Sequence, residues 1–205
     1  MAKIKLTKGE LKKQRDGLKQ FRRYLPTLQL KKQQLQIKIL DARKQFEHHL
    51  ENYLDKDEEI RKWHKLLADA DFDIGSWIIP KEIKTTTANI AGAIVPAFDS
   101  ISFEEAQYDF YLMPFWLDKA ILALRELMQL LVQVELAKLE IRILEKELRT
   151  TTQRVNLFEK VKIPECLENI RKIRIYLGDQ MANAVGVSKV AKKKVEIKSL
   201  VEAFV

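Results

Sequence analysis

Residues 120–158 read AILALRELMQLLVQVELAKLEIRILEKELRTTTQRVNLF, and the spacing of their apolar side chains decides the fold. Ala120, Leu127, Val134, Ile141, Leu148 and Val155 recur every seven residues. Ala123, Leu130, Ala137, Leu144, Thr151 and Phe158 follow three positions behind them, and only Thr151 is not apolar. A 3–4 repeat held this long is the seam of a coiled coil, because a short globular helix has no reason to keep a strict seven-residue period.

The same period runs through the first third of the chain. One set is Leu11, Leu18, Leu25, Lys32, Ile39, Phe46, Tyr53, Ile60 and Leu67; its companion is Gln14, Phe21, Leu28, Leu35, Ala42, His49, Lys56, Trp63 and Ala70. The repeats predict one helix over about 7–70 and a second over about 115–162, continuing past Pro164 to about 183. At 1.5 Å per residue the first would be roughly 95 Å long. Such a helix cannot bury its apolar stripe alone, and the natural partner is the other helix. Between them, Gly75, Pro80, Gly92, Pro96 and Pro114 interrupt helical continuity. Residues 83–87 and 93–98 lean toward strand, with a turn at 89–92, so a small head with a β-hairpin is expected. The expected fold is mainly α: a long antiparallel two-helix coiled coil with a small head containing a short β-hairpin. It divides into an N-terminal long helix (1–70), the head (71–114), a C-terminal long helix (115–183) and a basic tail (184–205).

An antiparallel return that sets Ala70 near Leu117 also brings Pro26 and Pro164 to nearly one level. A proline removes a helical hydrogen bond and clashes with the preceding turn. A joint is therefore expected there, with a tip beyond it made of residues 1–25 and 165–205. The alternative is that Pro26 opens the helix at its first turn.

Composition agrees with a helical chain: 205 residues with only 6 Gly and 5 Pro, 32% charged and 8% aromatic. The net charge of +8 is unevenly spread. Residues 1–45 carry 14 basic and 3 acidic side chains, residues 46–118 carry 6 and 15, and residues 119–205 carry 17 and 11. Basic ends and an acidic middle imply different partners for different parts.

The chemistry-bearing residues form no constellation. His48, His49 and His64 are the only histidines, and the single cysteine, Cys166, excludes an intrachain disulfide. Phosphate-binding glycine motifs are absent from the sequence. Glu140, Glu145 and Glu147 read as a solvated helix face. No catalytic residue, cofactor site or metal site is expected. The start, MAKIKLTKGELKK, has no apolar leader. The most hydrophobic run, 120–143, is broken by six charged residues, short of the roughly 20 apolar residues of a membrane span. The N-terminal basic run, Lys12, Lys13, Arg15, Lys19, Arg22, Arg23, Lys31 and Lys32, suits anionic surfaces. It lacks interleaved stacking aromatics, so nucleic acid is not an expected partner.

The stretch TTQRVNLFEKVKIPECLENIRKIRIYL resembles the C-terminal helix of the D subunit of the V-type and A-type rotary ATPases, through Arg154, Val155, Asn156, Glu159, Ile163 and Pro164. The start, LTKGELKKQRDGLKQFRRYLPTLQLKKQQL, is similar to that family's first helix. NIAGAIVPAF is similar to its hairpin segment, here Asn89, Ile90, Ala91, Gly92, Ile94, Val95 and Pro96. The order is that of the family and covers most of residues 7–180. Pro26 and the tail VGVSKVAKKKVEIKSLVEAFV depart from its pattern. The resemblance implies a central-stalk rotor subunit that carries torque between ATP chemistry and ion movement without touching nucleotide. Its implied partners are the catalytic and non-catalytic nucleotide-binding subunits (A and B), the small F subunit of the stalk, and the socket (C/d) subunit above the membrane rotor ring. The implied location is the cytoplasmic face of a membrane, peripheral through the complex. A rotor tip needs many weak contacts, and the candidates for meeting the catalytic ring are Lys19, Arg22, Arg23, Arg171, Lys172 and Arg174. The competing reading is a coiled-coil adaptor or an anionic-membrane-binding module with no rotary partner.

Overall fold

A computed structural model describes residues 5–68, 74–109, 111 and 113–202, with side chains to residue 197 except that of residue 68. The chain is mainly α. α1 spans Lys8–Arg61, followed by short helices α2 (Lys65–Ala68) and α3 (Gly75–Ile78). Strands β1 (Pro80–Ile90) and β2 (Ala93–Phe103) form one antiparallel hairpin. α4 runs Leu117–Asn156, a π-helical segment covers Leu157–Lys162, and α5 runs Ile163–Glu202. The chain divides into two compact units: Met1–Gln29 with Thr152–Val205, and Leu30–Thr151.

The heptad seam is the buried face. All twelve seam positions of 120–158 are buried or half-buried, including Thr151 at 1% exposure. The same holds for every seam position of α1, while Ala70 lies outside the described residues. In each unit the contacts between the N-terminal and C-terminal helices run antiparallel, since partner numbers fall on one helix as they rise on the other. In the first unit, Phe21 packs on Phe158 with ring centroids 5.0 Å apart, and Asn169 donates to Gln14 at 3.5 Å. In the second, Lys31 pairs with Glu147, Arg43 with Glu145 and Lys56 with Glu126.

Several boundaries differ from expectation for local reasons. α1 ends at Arg61, not near Ala70. There the Lys62 and Trp63 N–H groups turn to carbonyls three residues back, a tighter winding, and the His64 ring caps the Arg61 carbonyl at 2.6 Å. Pro26 lies inside α1, so it does not open the helix. Both Pro26 and Arg22 are exposed, so the carbonyl that loses its N–H partner can be hydrated.

The two prolines do not share a level. Extending the Phe21–Phe158 and Gln14–Asn169 register sets Pro26 opposite residues 153–157 and Pro164 opposite 15–19. The second helix answers its proline with the π segment, where the Ile163 N–H reaches the Phe158 carbonyl five residues back. This wider winding inserts one residue into the seam. Continued strictly, the heptad would bury Glu165 and Lys172; instead both are exposed, and Cys166, Ile170 and Ile173 are buried. Beyond the expected end near 183 the helix continues to Glu202, and residues 178–197 are exposed.

The hairpin is longer than expected, eleven residues per strand against the short runs at 83–87 and 93–98. Ile90 pairs with Ala93 across a two-residue loop, Ala91–Gly92, with φ of 51° and 82°. Positive φ at both loop residues matches the right-handed strand twist. Asn89 stabilises the loop, its Oδ1 accepting the Gly92 N–H at 2.9 Å.

The loop end of the hairpin packs on the second unit's helices. Ala93 and Val95 share one core with Leu35, Ile39 and Ala42 of α1 and Leu144 of α4, flanked by Ala88, Ile90 and Ala91. Strand alternation leaves Ile94 on the outer face, 69% exposed. At the other end Arg125 of α4 donates to the Trp77 and Glu104 carbonyls and lies over the Phe103 ring.

Candidate interaction surfaces

The first unit presents a basic groove. Arg15 and Leu18 of α1 and Leu167, Ile170, Arg171, Arg174 and Ile175 of α5 line a groove of about 490 Å³. Arg15, Lys19 and Arg22 follow at i, i+4 and i+7, one stripe of α1. Of the six candidate contacts, Arg171 and Arg174 line the groove directly. Lys19 and Arg22 belong to the stripe that leads from its Arg15 edge. Arg23 sits one residue, about 100°, off that stripe. Lys172 faces elsewhere, bonded to Glu168 at 2.6 Å, and that bond holds the Glu168 carboxyl below its usual range. Arg15, absent from the six, was legible as the residue one heptad before Arg22.

A second groove of the same unit, about 610 Å³, is lined by Lys12, Lys13 and Lys162 together with Asp16 and Glu165, so its charge is mixed. Cys166 lies at its floor, 7% exposed, and burial pushes its thiol above the usual range. Farther along α5, Met181, Val185, Val187 and Val190 are exposed beside Lys189 and Lys192. Exposed apolar side chains among lysines suit a protein surface.

The hairpin residues Asn89, Ile90, Ala91, Gly92, Ile94, Val95 and Pro96 fall at the loop end, where Val95 joins the core with α1 and α4 and Pro96 lines a cavity beside them. The loop covers an ion pair: a Cβ at Gly92 would lie 3.4 Å from Lys31 Nζ, which holds Glu147 at 2.8 Å. Of the family-motif residues, Val155 is buried in the seam, Arg154, Asn156 and Glu159 are exposed, and Ile163 and Pro164 follow the π segment. Among the described residues no three His, Cys, Asp or Glu side chains gather as a metal would require, and no helix is long and apolar enough to cross a membrane.

The carboxylates of α4 are not one solvated face. Glu145 and Glu147 are ion-paired across to α1, whereas Glu140 is half-buried and has no hydrogen bond or ion pair among the described residues.

Fold and surfaces together define the class: an antiparallel helical coiled coil with a β-hairpin packed on its helices and with exposed basic and apolar residues. Residues 10–193 match the ATP synthase D-subunit family, and the chain belongs to that family. It is 48% identical over 193 residues to the V-type ATP synthase D subunit of Borreliella burgdorferi, covering 94% of this chain and 95% of that one. The proteins of the same name from Chlamydia pneumoniae and Chlamydia caviae are 35% and 36% identical, each aligned over 95% of this chain. The alignments cover 94% and 95% of those two proteins.

Proposed function

We propose that this chain is the central-stalk rotor subunit of a V-type ATP synthase, transmitting torque between ATP turnover in a catalytic ring and ion translocation in a membrane sector. Family membership along nearly the whole chain carries this reading. The physical case is consistent with it. Torque needs a stiff element, and two helices packed on each other along an apolar seam resist twisting better than one. A rotor must also avoid locking at one stator position. Exposed ionic contacts, worth about 0–1 kcal/mol each, hold without anchoring.

In this role the chain is an accessory subunit and performs no chemistry on nucleotide. Lys19, Arg22, Arg23, Arg171, Lys172 and Arg174 of the first unit meet the catalytic and non-catalytic nucleotide-binding (A and B) subunits. The small F subunit of the stalk binds the side of the paired helices. The head, residues 71–114 with its hairpin, docks on the socket (C/d) subunit. The chain is thereby held peripherally at the cytoplasmic face of the membrane.

The test is affinity isolation of the tagged chain from its native membranes after mild detergent extraction, with quantitative mass spectrometry. Large nucleotide-binding subunits in excess over this chain, with one small globular partner, are the expected result. Recovery of the chain alone, or with anionic lipid and no ATPase subunits, refutes the rotor reading and favours a coiled-coil adaptor or membrane-binding module.

A further inference from the structure

The cavity between α1, β2 and α4, in the second unit, carries chemistry that the fold does not consume. It measures about 250 Å³ and is lined by Gln45 and His49 of α1, by Pro96, Ala97 and Phe98 of β2, and by Gln133, Leu136, Ala137 and Glu140 of α4. Its walls are an aromatic ring, a proline and aliphatic side chains, with two amides and one carboxylate among them.

Glu140 is the exception among the carboxylates of its helix. Asp118 accepts from the Tyr108 hydroxyl, Glu126 pairs with Lys56, Glu135 with Lys138, Glu145 with Arg43 and Glu147 with Lys31. Glu140 alone has none of these bonds among the described residues, and it is half-buried. Burial pushes its carboxyl above the usual range. A partly desolvated carboxylate without a counter-charge is unfavourable, so it either takes up a proton more readily or gains from a cation supplied from outside the chain. Of the residues lining the cavity, only His49 is also titratable; α1 otherwise contributes Gln45, and β2 contributes no charge.

We propose that this cavity receives the side chain of an arginine from a partner protein, with Glu140 as its counter-charge. The lining selects arginine over other cations. A guanidinium is weakly hydrated, lies flat on an aromatic ring such as Phe98, and spreads five donors over acceptors such as the Glu140 carboxylate and the amide oxygens of Gln45 and Gln133. Its aliphatic stem matches Leu136, Ala137 and Pro96. A small divalent cation would find one carboxylate where it needs several hard oxygen ligands. The assignment does not depend on the rotor reading, because any partner that presents an arginine here satisfies it.

The experiment uses the full-length chain and N-acetyl-arginine methylamide as probe, followed by heteronuclear NMR. Neutral N-acetyl-citrulline methylamide serves as the matched control. Saturable shifts confined to His49, Ala97, Phe98, Ala137 and Glu140 are expected with the arginine probe. Binding should weaken about tenfold or more with citrulline and in Glu140→Gln, since a charge-assisted bond is lost in each. Glu140→Asp, which keeps the charge on a shorter stem, should retain part of the affinity. The unchanged spectrum of the rest of each variant establishes that it is folded. Equal binding of citrulline, undiminished binding by Glu140→Gln, or no site-confined shift up to the probe's solubility limit would overturn the proposal. So would MgCl2 or NaCl producing the same shifts at lower concentration, which would make this an ion site. None of these outcomes bears on which subunits accompany the chain in its native membranes.

Discussion

Glu140 shows at the residue scale how position rather than type sets a side chain's chemistry. Its carboxyl is raised by burial, so the folded state holds the proton more tightly than the unfolded chain does. The associated stability is present in acid, below the unfolded value, and is lost as pH rises through the raised folded value. Glu140→Gln, which removes the ionisation, should therefore melt higher than wild type at pH 7. Thermal unfolding across pH should show that advantage close as the wild-type carboxyl protonates. Cys166 offers a second test at this scale. Burial, and secondarily the Glu165 charge, raise its thiol, while Lys162 opposes them. Only the thiolate reacts, so alkylation of the native chain at pH 8 should run slower than that of an unstructured cysteine peptide and recover in denaturant. An equal rate in both states would contradict the buried placement.

At the scale of elements, the hairpin holds to the helices by two different means. Near the loop the contact is apolar, centred on Leu35, which is fully buried against Val95 and Leu144. Leu35→Ala should cost about 2–5 kcal/mol, the transfer term plus the cavity left behind, measured by denaturant unfolding. At the far end the contact is polar, through Arg125 and the Trp77 and Glu104 carbonyls. Arg125→Ala should cost about 1–3 kcal/mol, and Arg125→Lys should recover only part, because one ammonium cannot serve both carbonyls and the Phe103 ring as a planar guanidinium does. If Lys restored full stability, charge alone would be the explanation.

At the scale of the whole molecule, exposed basic surface and buried apolar seam are separable. Replacing Lys19, Arg22, Arg23, Arg171, Lys172 and Arg174 by alanine removes exposed charge and touches none of the buried seam. Each substitution should change the chain's stability by no more than about 0.5 kcal/mol. In the reconstituted complex, coupled ion transport should fall while ATP hydrolysis continues, and raising salt should weaken wild-type coupling in the same direction. Intact coupling in the six-fold variant would remove these residues from the contact.

What the sequence by itself determined is whatever a local period can encode. The heptads chose the buried stripe of both helices down to Thr151, a polar side chain whose seam position dictates burial. The break between two strand-leaning runs placed a turn within 89–92, which the structure narrows to the two-residue loop Ala91–Gly92. Tertiary structure decided the rest, because register between elements depends on contacts remote in sequence. The π winding before Pro164 moved the seam from Glu165 to Cys166, a one-residue slip that a strict period cannot announce. Pro26 and Pro164 fell at different levels because the register beside them is set by Phe21 on Phe158 and Gln14 on Asn169; the expected pairing of Ala70 with Leu117 lies outside the described residues. The hairpin lay back on α1 and α4, where it could bury Ala93 and Val95. That packing separated Glu140 from Glu145 and Glu147, three carboxylates on one helix that differ only in what the fold brings opposite each.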